Sequence, residues 1–217
     1  MLTLVIGDKQ LSSWSLRPWL LLRHLGLPFD EVNLPLDTPR FREEIDRWSP
    51  TGRVPVLLDG ALRVWDSLAI CEYASELAGG AGWPTANTER ALARSISAEM
   101  HSGFQALRGT WPMQAASRGL QVPLTPQART DVQRIDAIWS DCRAKHERHG
   151  PWLFGAHYTI ADAMYAPVVL RFATYGATLS ETAGHYRDQV LSDAHLREWI
   201  RGAEREIAVE GRPVTHP

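Results

Sequence analysis

Strand signals occur only in the first 65 residues of this 217-residue chain, and that asymmetry constrains the fold more than any other feature. Residues 2–6 (LTLVI) are an apolar, partly β-branched run that stops at Gly7-Asp8, as a short buried strand does. Residues 15–26 are apolar at helical spacing and close on Gly26, which suits the left-handed position after a helix. Pro18 falls early, where a missing amide costs little. Residues 29–34 predict a second strand. Thr38-Pro39 then reads as an N-cap with proline at the first helical position, opening a helix to about Trp48 that Ser49-Pro50-Thr51-Gly52 breaks. Residues 54–58 and 61–65 flank Asp59-Gly60, a strong two-residue hairpin signal. A third helix runs from Asp66-Ser67 to about Leu77.

The order βαβ, helix, ββ, helix predicts a four-stranded mixed sheet with helices on its faces. Gly79-Gly80-Ala81-Gly82-Trp83-Pro84 marks a linker. Beyond it helical patterns take over, at residues 89–108, 126–148, 160–175 and 194–207. The chain is therefore read as α/β plus all-α: an N-terminal domain over 1–78, a linker over 79–88 and an all-helical domain over 89–217.

Composition narrows the function. The 23 Lys+Arg against 25 Asp+Glu leave a net charge of -2, which argues against nucleic acid held by phosphate neutralisation. Cys71 and Cys142 stand far apart, offering neither a disulfide framework nor a paired metal motif, and fit a reducing cytoplasm. No apolar run reaches the roughly 18 residues of a membrane helix, and residues 1–6 read as a strand and not a signal segment. His146 and His149 fall in a charged stretch that reads as a solvated face, not a metal site.

Three sites carry chemistry. Ser12-Ser13-Trp14-Ser15 lies between the first strand and helix, where unpaired amides and the helix dipole favour an anion; plain capping also accounts for serine there. Val54-Pro55 opens a strand with a residue lacking a ladder donor, which leaves the Val54 backbone free to pair with an extended peptide. Asp66-Ser67 heads the third helix, where a carboxylate beside a hydroxyl suits the ammonium and carboxylate of an amino acid end, or simply a cap.

Together, SSWSLRPW, RVPVLLDG and WDSLAICEYA resemble the N-terminal, thioredoxin-like domain of glutathione transferases, and LFGAHYTIADAMYAP resembles that family's helical domain. Thr159-Ile160-Ala161-Asp162 matches the family's capping box, whose role is folding. The double serine followed by Ser-x-Arg, with Ser67-Leu68-Ala69-Ile70, is most similar to the zeta class, which includes maleylacetoacetate isomerases; Trp14 stands where that class carries cysteine. The resemblance implies that Ser13 or Ser12 hydrogen-bonds the glutathione sulfur. Counting four back from Arg17 selects Ser13, while the zeta pattern leaves Ser12 open. It further implies that Val54, beside Pro55, pairs with the cysteinyl part and that Asp66 and Ser67 hold the γ-glutamyl end. Arg53, or less directly Arg40, meets the glycyl carboxylate. The helical domain would border an electrophile pocket at Trp14, His101, Phe104, Gln105, Arg108 and Trp111.

The implied function is a cytoplasmic glutathione transferase of detoxification type, with glutathione as co-substrate and no metal, nucleic acid or membrane partner. It would add the thiolate to small apolar electrophiles. A glutathione-dependent cis-trans isomerase is the alternative, favoured if Arg108 or Arg171 lies near the site, because its substrate carries two carboxylates. A non-catalytic glutathione-binding protein is the third possibility. Ser12 and Ser15 stand at the spacing of a redox-active CxxC, which disfavours thiol-disulfide exchange. A homodimer is expected, with the surplus apolar positions Leu68, Ile70, Tyr73, Leu77, Ile96, Met100 and Phe104 supplying its interface.

Overall fold

In a computed structural model, which describes residues 1–210, β1 (Leu2–Ile6) is the inner strand that organises the sheet. It pairs in parallel with β2 (Phe29–Asn33) and antiparallel with β3 (Val56–Asp59), which pairs antiparallel with β4 (Leu62–Trp65); the strand order is β2-β1-β3-β4. Parallel pairing of β1 and β2 requires a crossover, and α1 (Ser13–His24) supplies it. Leu4, Val5 and Ile6 are wholly buried, as the unbroken apolar run requires. Thr38 caps α2 (Pro39–Trp48) by accepting from the Phe41 amide at 3.1 Å. Gly60, at φ +58°, supplies the left-handed turn between β3 and β4. The β3 ladder begins at Val56 opposite Trp65, two residues later than the sequence suggested, after a cis Val54-Pro55 peptide.

After α3 (Ser67–Leu77) the chain is helical: α4 (Asn87–Ser102), α5 (Gln105–Thr110), α6 (Pro126–His146), α7 (Ile160–Tyr175), α8 (Glu181–Ser192) and α9 (Ala194–Glu210). The single helix expected over residues 89–108 is two. A Cβ at Gly103 would lie 2.7 Å from the Glu99 carbonyl oxygen, and Phe104 adopts φ +55°, so the chain turns sharply there. Helix α8 escaped the sequence pattern because its buried side is narrow, only Ala183, Tyr186 and Val190.

Helix α7 is the hub, buried on nearly every side and packed against α1 and α4. Asp162 anchors it. Its Oδ1 accepts from the Leu153 amide and the Tyr186 hydroxyl, both at 2.9 Å; its Oδ2 accepts from the Thr159 amide at 2.9 Å and the Thr159 hydroxyl at 2.8 Å. The expected capping box is present and reaches further than its own helix. One apolar core joins the sheet to the helical region, and it absorbs Ile70, Ile96, Met100 and Phe104, which are therefore not interface surface. Of the other positions expected at an interface, Leu77 is exposed and Leu68 and Tyr73 are half-buried. His146, expected on a solvated face, is instead buried because its ring packs against Phe154, while His149 remains exposed.

Candidate functional site

The loop between β1 and α1 is held from three directions. Asp8 Oδ2 accepts from the Leu36 amide at 2.7 Å. Glu206 of α9 accepts from the amides of Lys9 and Gln10 at 3.1 and 3.2 Å, while Trp199 Nε1 donates to the Lys9 carbonyl at 2.7 Å. The Ala115 amide donates to the Gln10 carbonyl at 3.0 Å, and the Ala116 amide to its side-chain oxygen at 2.9 Å. Distant segments thus fix the approach to α1.

The two serines separate at this point. Ser12 turns inward: its hydroxyl donates to Ser15 Oγ at 2.7 Å, and Ser15 Oγ accepts from the Gly7 amide at 3.2 Å. Ser13, the first residue of α1, makes no side-chain hydrogen bond to any described residue and lines a cavity of about 400 Å³ with Trp14, Gln105, Arg108, Gly109 and Arg171.

A neighbouring cavity of about 410 Å³ gathers Arg53, Val54, Pro55, Asp66 and Ser67, together with Trp14, His101 and Arg108. Thr51 and Trp65 complete it, and nothing in the sequence pattern drew attention to either beyond the break at residues 49–52. Asp66 holds φ +74° at the head of α3 and accepts from the Leu68 amide at 2.9 Å and the Ala69 amide at 3.5 Å. Its other oxygen lies 3.2 Å from His101 Nε2. Ser67 is 1% exposed, and its buried hydroxyl has no hydrogen-bond partner among the described residues, an arrangement that costs free energy.

Trp14 and Arg108 line both cavities and form their common wall. The Arg17 and Arg108 guanidinium carbons lie 3.9 and 4.6 Å from the Trp14 ring centroid, and His101 meets the same ring edge-on at 5.3 Å. Arg17 has no exposed surface and donates from Nε to the Met164 carbonyl at 3.2 Å. Burial, with the charges of Arg171 and Arg108, pushes Arg17 down to about 9; burial and Arg108 push Arg171 down to about 10. The lining of the Ser13 cavity is thus largely cationic and polar, and of the residues expected there it holds Trp14, Gln105 and Arg108.

Besides Ser12, three expected site residues lie outside both cavities. Arg40 is exposed on α2 and paired with Glu44 at 2.8 Å. Phe104 is buried at the turn between α4 and α5. Trp111 is buried too, with its Nε1 donating to the Val122 carbonyl at 2.8 Å and its ring stacked on Tyr175. Arg171, which the sequence reading raised only for the isomerase alternative, is brought into the Ser13 cavity by α7. Cys71 and Cys142 are buried, and burial pushes both thiols up, so neither supplies a thiolate. The described residues contain no cluster of three or more potential metal ligands.

A β2-β1-β3-β4 sheet followed by an all-helical region, with a cavity built on a proline-opened strand and the heads of two helices, defines a thioredoxin-like fold with an added helical domain. The chain belongs to the glutathione S-transferase family: residues 11–77 match its N-terminal domain and residues 98–202 its C-terminal domain. It is 42% identical over 60 residues to a dichloromethane dehalogenase of Methylorubrum extorquens, a match spanning 27% of this chain and 21% of that protein. It is 26% identical over 185 residues to the maleylacetoacetate isomerase of Rattus norvegicus, spanning 83% of each. Its fold matches that of a glutathione transferase homolog from Burkholderia BGR1 with bound glutathione, at a TM-score of 0.68, 21% identity and coverage of 94% and 98%. No helix among the described residues is long and apolar enough to cross a membrane.

Proposed function

We propose that the protein is a cytoplasmic glutathione transferase that binds glutathione in the 410 Å³ cavity and activates its thiol at Ser13. One observation carries this: the unpartnered Ser13 hydroxyl stands at the head of α1 beside a cavity that holds Val54, Asp66 and Ser67. In that reading Asp66 receives the ammonium of the γ-glutamyl end, and Ser67 with the α3 amides receives its carboxylate. The Val54 backbone pairs with the cysteinyl unit, and Arg53 faces the glycyl carboxylate.

A free thiol with pKa near 8.5 is a few per cent ionised at neutral pH, and the thiolate is the nucleophile. A hydroxyl donor, the amides opening α1 and three nearby guanidinium charges all favour the anion. Each two-unit fall would represent about 2.7 kcal/mol. Ser13 donates to sulfur and does not itself become covalently attached. The thiolate then attacks a small electrophile seated in the adjoining 400 Å³ cavity. Glutathione titration followed by calorimetry, with conjugation to an aryl halide, tests the reading directly.

A second reading, glutathione-dependent isomerisation, draws support from the similarity to the rat isomerase across 83% of each chain and from the arginines beside Ser13. There the thiolate would add, the substrate bond rotate and the thiolate leave. Assembly as a two-fold dimer is part of the leading reading. Leu62 on β4, Leu77 on α3 and Leu92 on α4 are among the large apolar side chains left exposed, and an isologous interface would cover them.

A further inference from the structure

We infer that Glu206 of α9, acting with Gln10, is a positioning residue for the reaction: the two fix where the Ser13 hydroxyl stands and so set how strongly it favours the thiolate. The inference rests on the reading of Ser13 as the donor to the glutathione sulfur, and it concerns residues that lie outside both cavities.

The ground is the way α9 meets the loop ahead of α1. Trp199, Gly202 and Glu206 recur at helical spacing and turn toward residues 9 and 10. Trp199 Nε1 donates to the Lys9 carbonyl at 2.7 Å. One carboxylate oxygen of Glu206 accepts from the Lys9 amide at 3.1 Å and the other from the Gln10 amide at 3.2 Å, so a single side chain orients two successive peptide units. A Cβ at Gly202 would stand 2.5 Å from Lys9 Cδ; a mid-helix glycine weakens α9, and here it admits the loop to the helix surface. Gln10 is 7% exposed, and beyond Glu206 all its remaining polar groups are used. Its carbonyl accepts from the Ala115 amide at 3.0 Å, its side-chain oxygen from the Ala116 amide at 2.9 Å, and its Nε2 donates to Ser117 Oγ at 3.3 Å. Residues 115–117 follow α5, which brings Gln105 and Arg108 to the Ser13 cavity. Gln10 therefore joins α9, the segment after α5 and the approach to α1.

What is fixed at Gln10 reaches Ser13 without slack. The Leu11 and Ser12 amides both donate to the Asp8 carbonyl, at 3.2 and 2.8 Å, and the Ser13 amide donates to the Leu11 carbonyl at 2.9 Å. The Ser13 hydroxyl has no side-chain hydrogen bond among the described residues to hold it, so its place is inherited from this backbone. Charge does not account for Glu206. Burial, with the charge of Asp8, pushes its carboxyl up despite the amide bonds, and a negative group on this side of the loop opposes an anion at the head of α1. Geometry does account for it, because a donor works only within hydrogen-bond reach of the developing anion, and a displacement of about 1 Å made far from the chemistry can cost about 100-fold in rate.

Ultraviolet titration of the glutathione-saturated protein, with steady-state kinetics and urea denaturation, tests the inference on three variants. Glu206→Gln keeps the length of the side chain and turns one acceptor oxygen into a donor facing an amide N–H. Gln10→Ala removes the side-chain bonds to Ala116 and Ser117 and keeps both backbone bonds. Asn33→Ala removes the other partner of Glu206, Asn33 Nδ2 at 2.8 Å, without touching the loop. In Glu206→Gln and Gln10→Ala the bound thiol should ionise about one pH unit higher and kcat should fall about tenfold. The glutathione dissociation constant should stay within about twofold of the native value, since Arg53, Val54, Asp66 and Ser67 are not moved. Asn33→Ala should lower resistance to urea and leave thiol ionisation and kcat as they were. Unchanged ionisation in either Glu206→Gln or Gln10→Ala, in a folded protein, overturns the inference whatever the loss of stability, as does an equal shift in Asn33→Ala. Gln10→Ala keeps the test decisive if Glu206→Gln fails to fold, and loss of the fold in both assigns the clamp to stability alone and overturns it as well. A native protein whose bound thiol ionises no earlier than free glutathione overturns the reading of Ser13 instead, an outcome distinct from a native thiolate that the variants leave in place.

Discussion

His101 Nε2 lies 3.2 Å from Asp66 Oδ2, so a residue of α4 in the helical region faces the carboxylate that heads α3 in the sheet region. Asp66 is held for this role in a left-handed conformation, φ +74°, with its other oxygen committed to the α3 amides. If Asp66 receives the glutathione ammonium, Asp66→Ala should weaken binding by about 1.5 to 3 kcal/mol. His101→Phe should change it by less than about 1 kcal/mol, since the pair is partly open to solvent. Calorimetric titration of the two variants gives both values, and equal losses would place the ammonium elsewhere.

The serines should part in kind as well as degree. Ser12→Ala breaks a buried hydrogen bond to Ser15 and is expected to cost about 1 kcal/mol of folding stability with kcat nearly intact. Ser13→Ala breaks no internal bond and should leave stability unchanged while kcat falls about 100-fold, the loss typical of one donor to a developing anion. Urea denaturation and steady-state kinetics on both variants decide the assignment.

Asp162→Asn should cost about 3 kcal/mol or more. All four of its partners are donors, and an amide presents two hydrogens of its own in place of one acceptor oxygen. Equilibrium unfolding of the variant measures the loss; a change below 1 kcal/mol would mean that the network contributes little beyond its desolvation.

Asp193 predicts an acid limb. Burial alone would push its carboxyl up, but hydrogen bonds from His24 and the Leu196 amide, with the charges of His24 and His195, hold it below 3.8. Below that value the unfolded carboxyl takes its proton before the folded one, so the unfolded state binds more protons and stability falls as pH falls through the window. Asp193→Asn should therefore shrink the stability difference between about pH 6 and pH 3. Denaturant melts at the two pH values check the sign.

Leu77→Glu combined with Leu92→Glu places charge on the exposed apolar positions of α3 and α4. The native protein should sediment at twice 24.3 kDa and the double variant as a monomer. Sedimentation equilibrium at micromolar concentration reads both.

The elements that follow local rules were legible in the sequence. Thr38-Pro39 and Thr159-Asp162 state their helix starts, and Asp59-Gly60 its hairpin, because capping and turn chemistry act over four residues. The break at Gly103-Phe104 was not, since the helix-compatible residues before and after it, Met100 and His101 on one side and Gln105, Ala106 and Leu107 on the other, hide the positive φ of Phe104. That break is also why Gln105 and Arg108 reach the Ser13 cavity while Phe104 turns into the core. Similarly, Ser12 and Ser13 are alike in sequence, and only the inward bond to Ser15 tells them apart. Arg40 was the weaker candidate beside Arg53, and its pairing with Glu44, one helical turn on, is a local contact that competes with any distant role.

The central claim is that Ser13 holds the glutathione sulfur as an anion. An ultraviolet difference spectrum of the protein saturated with glutathione, recorded as pH is raised, measures that most directly. A thiolate band should be present at neutral pH, well below the free thiol's range near 8.5, and should move to higher pH in Ser13→Ala but not in Ser12→Ala. A bound thiol that ionises no earlier than free glutathione, or a band that shifts with Ser12 and ignores Ser13, would contradict the account.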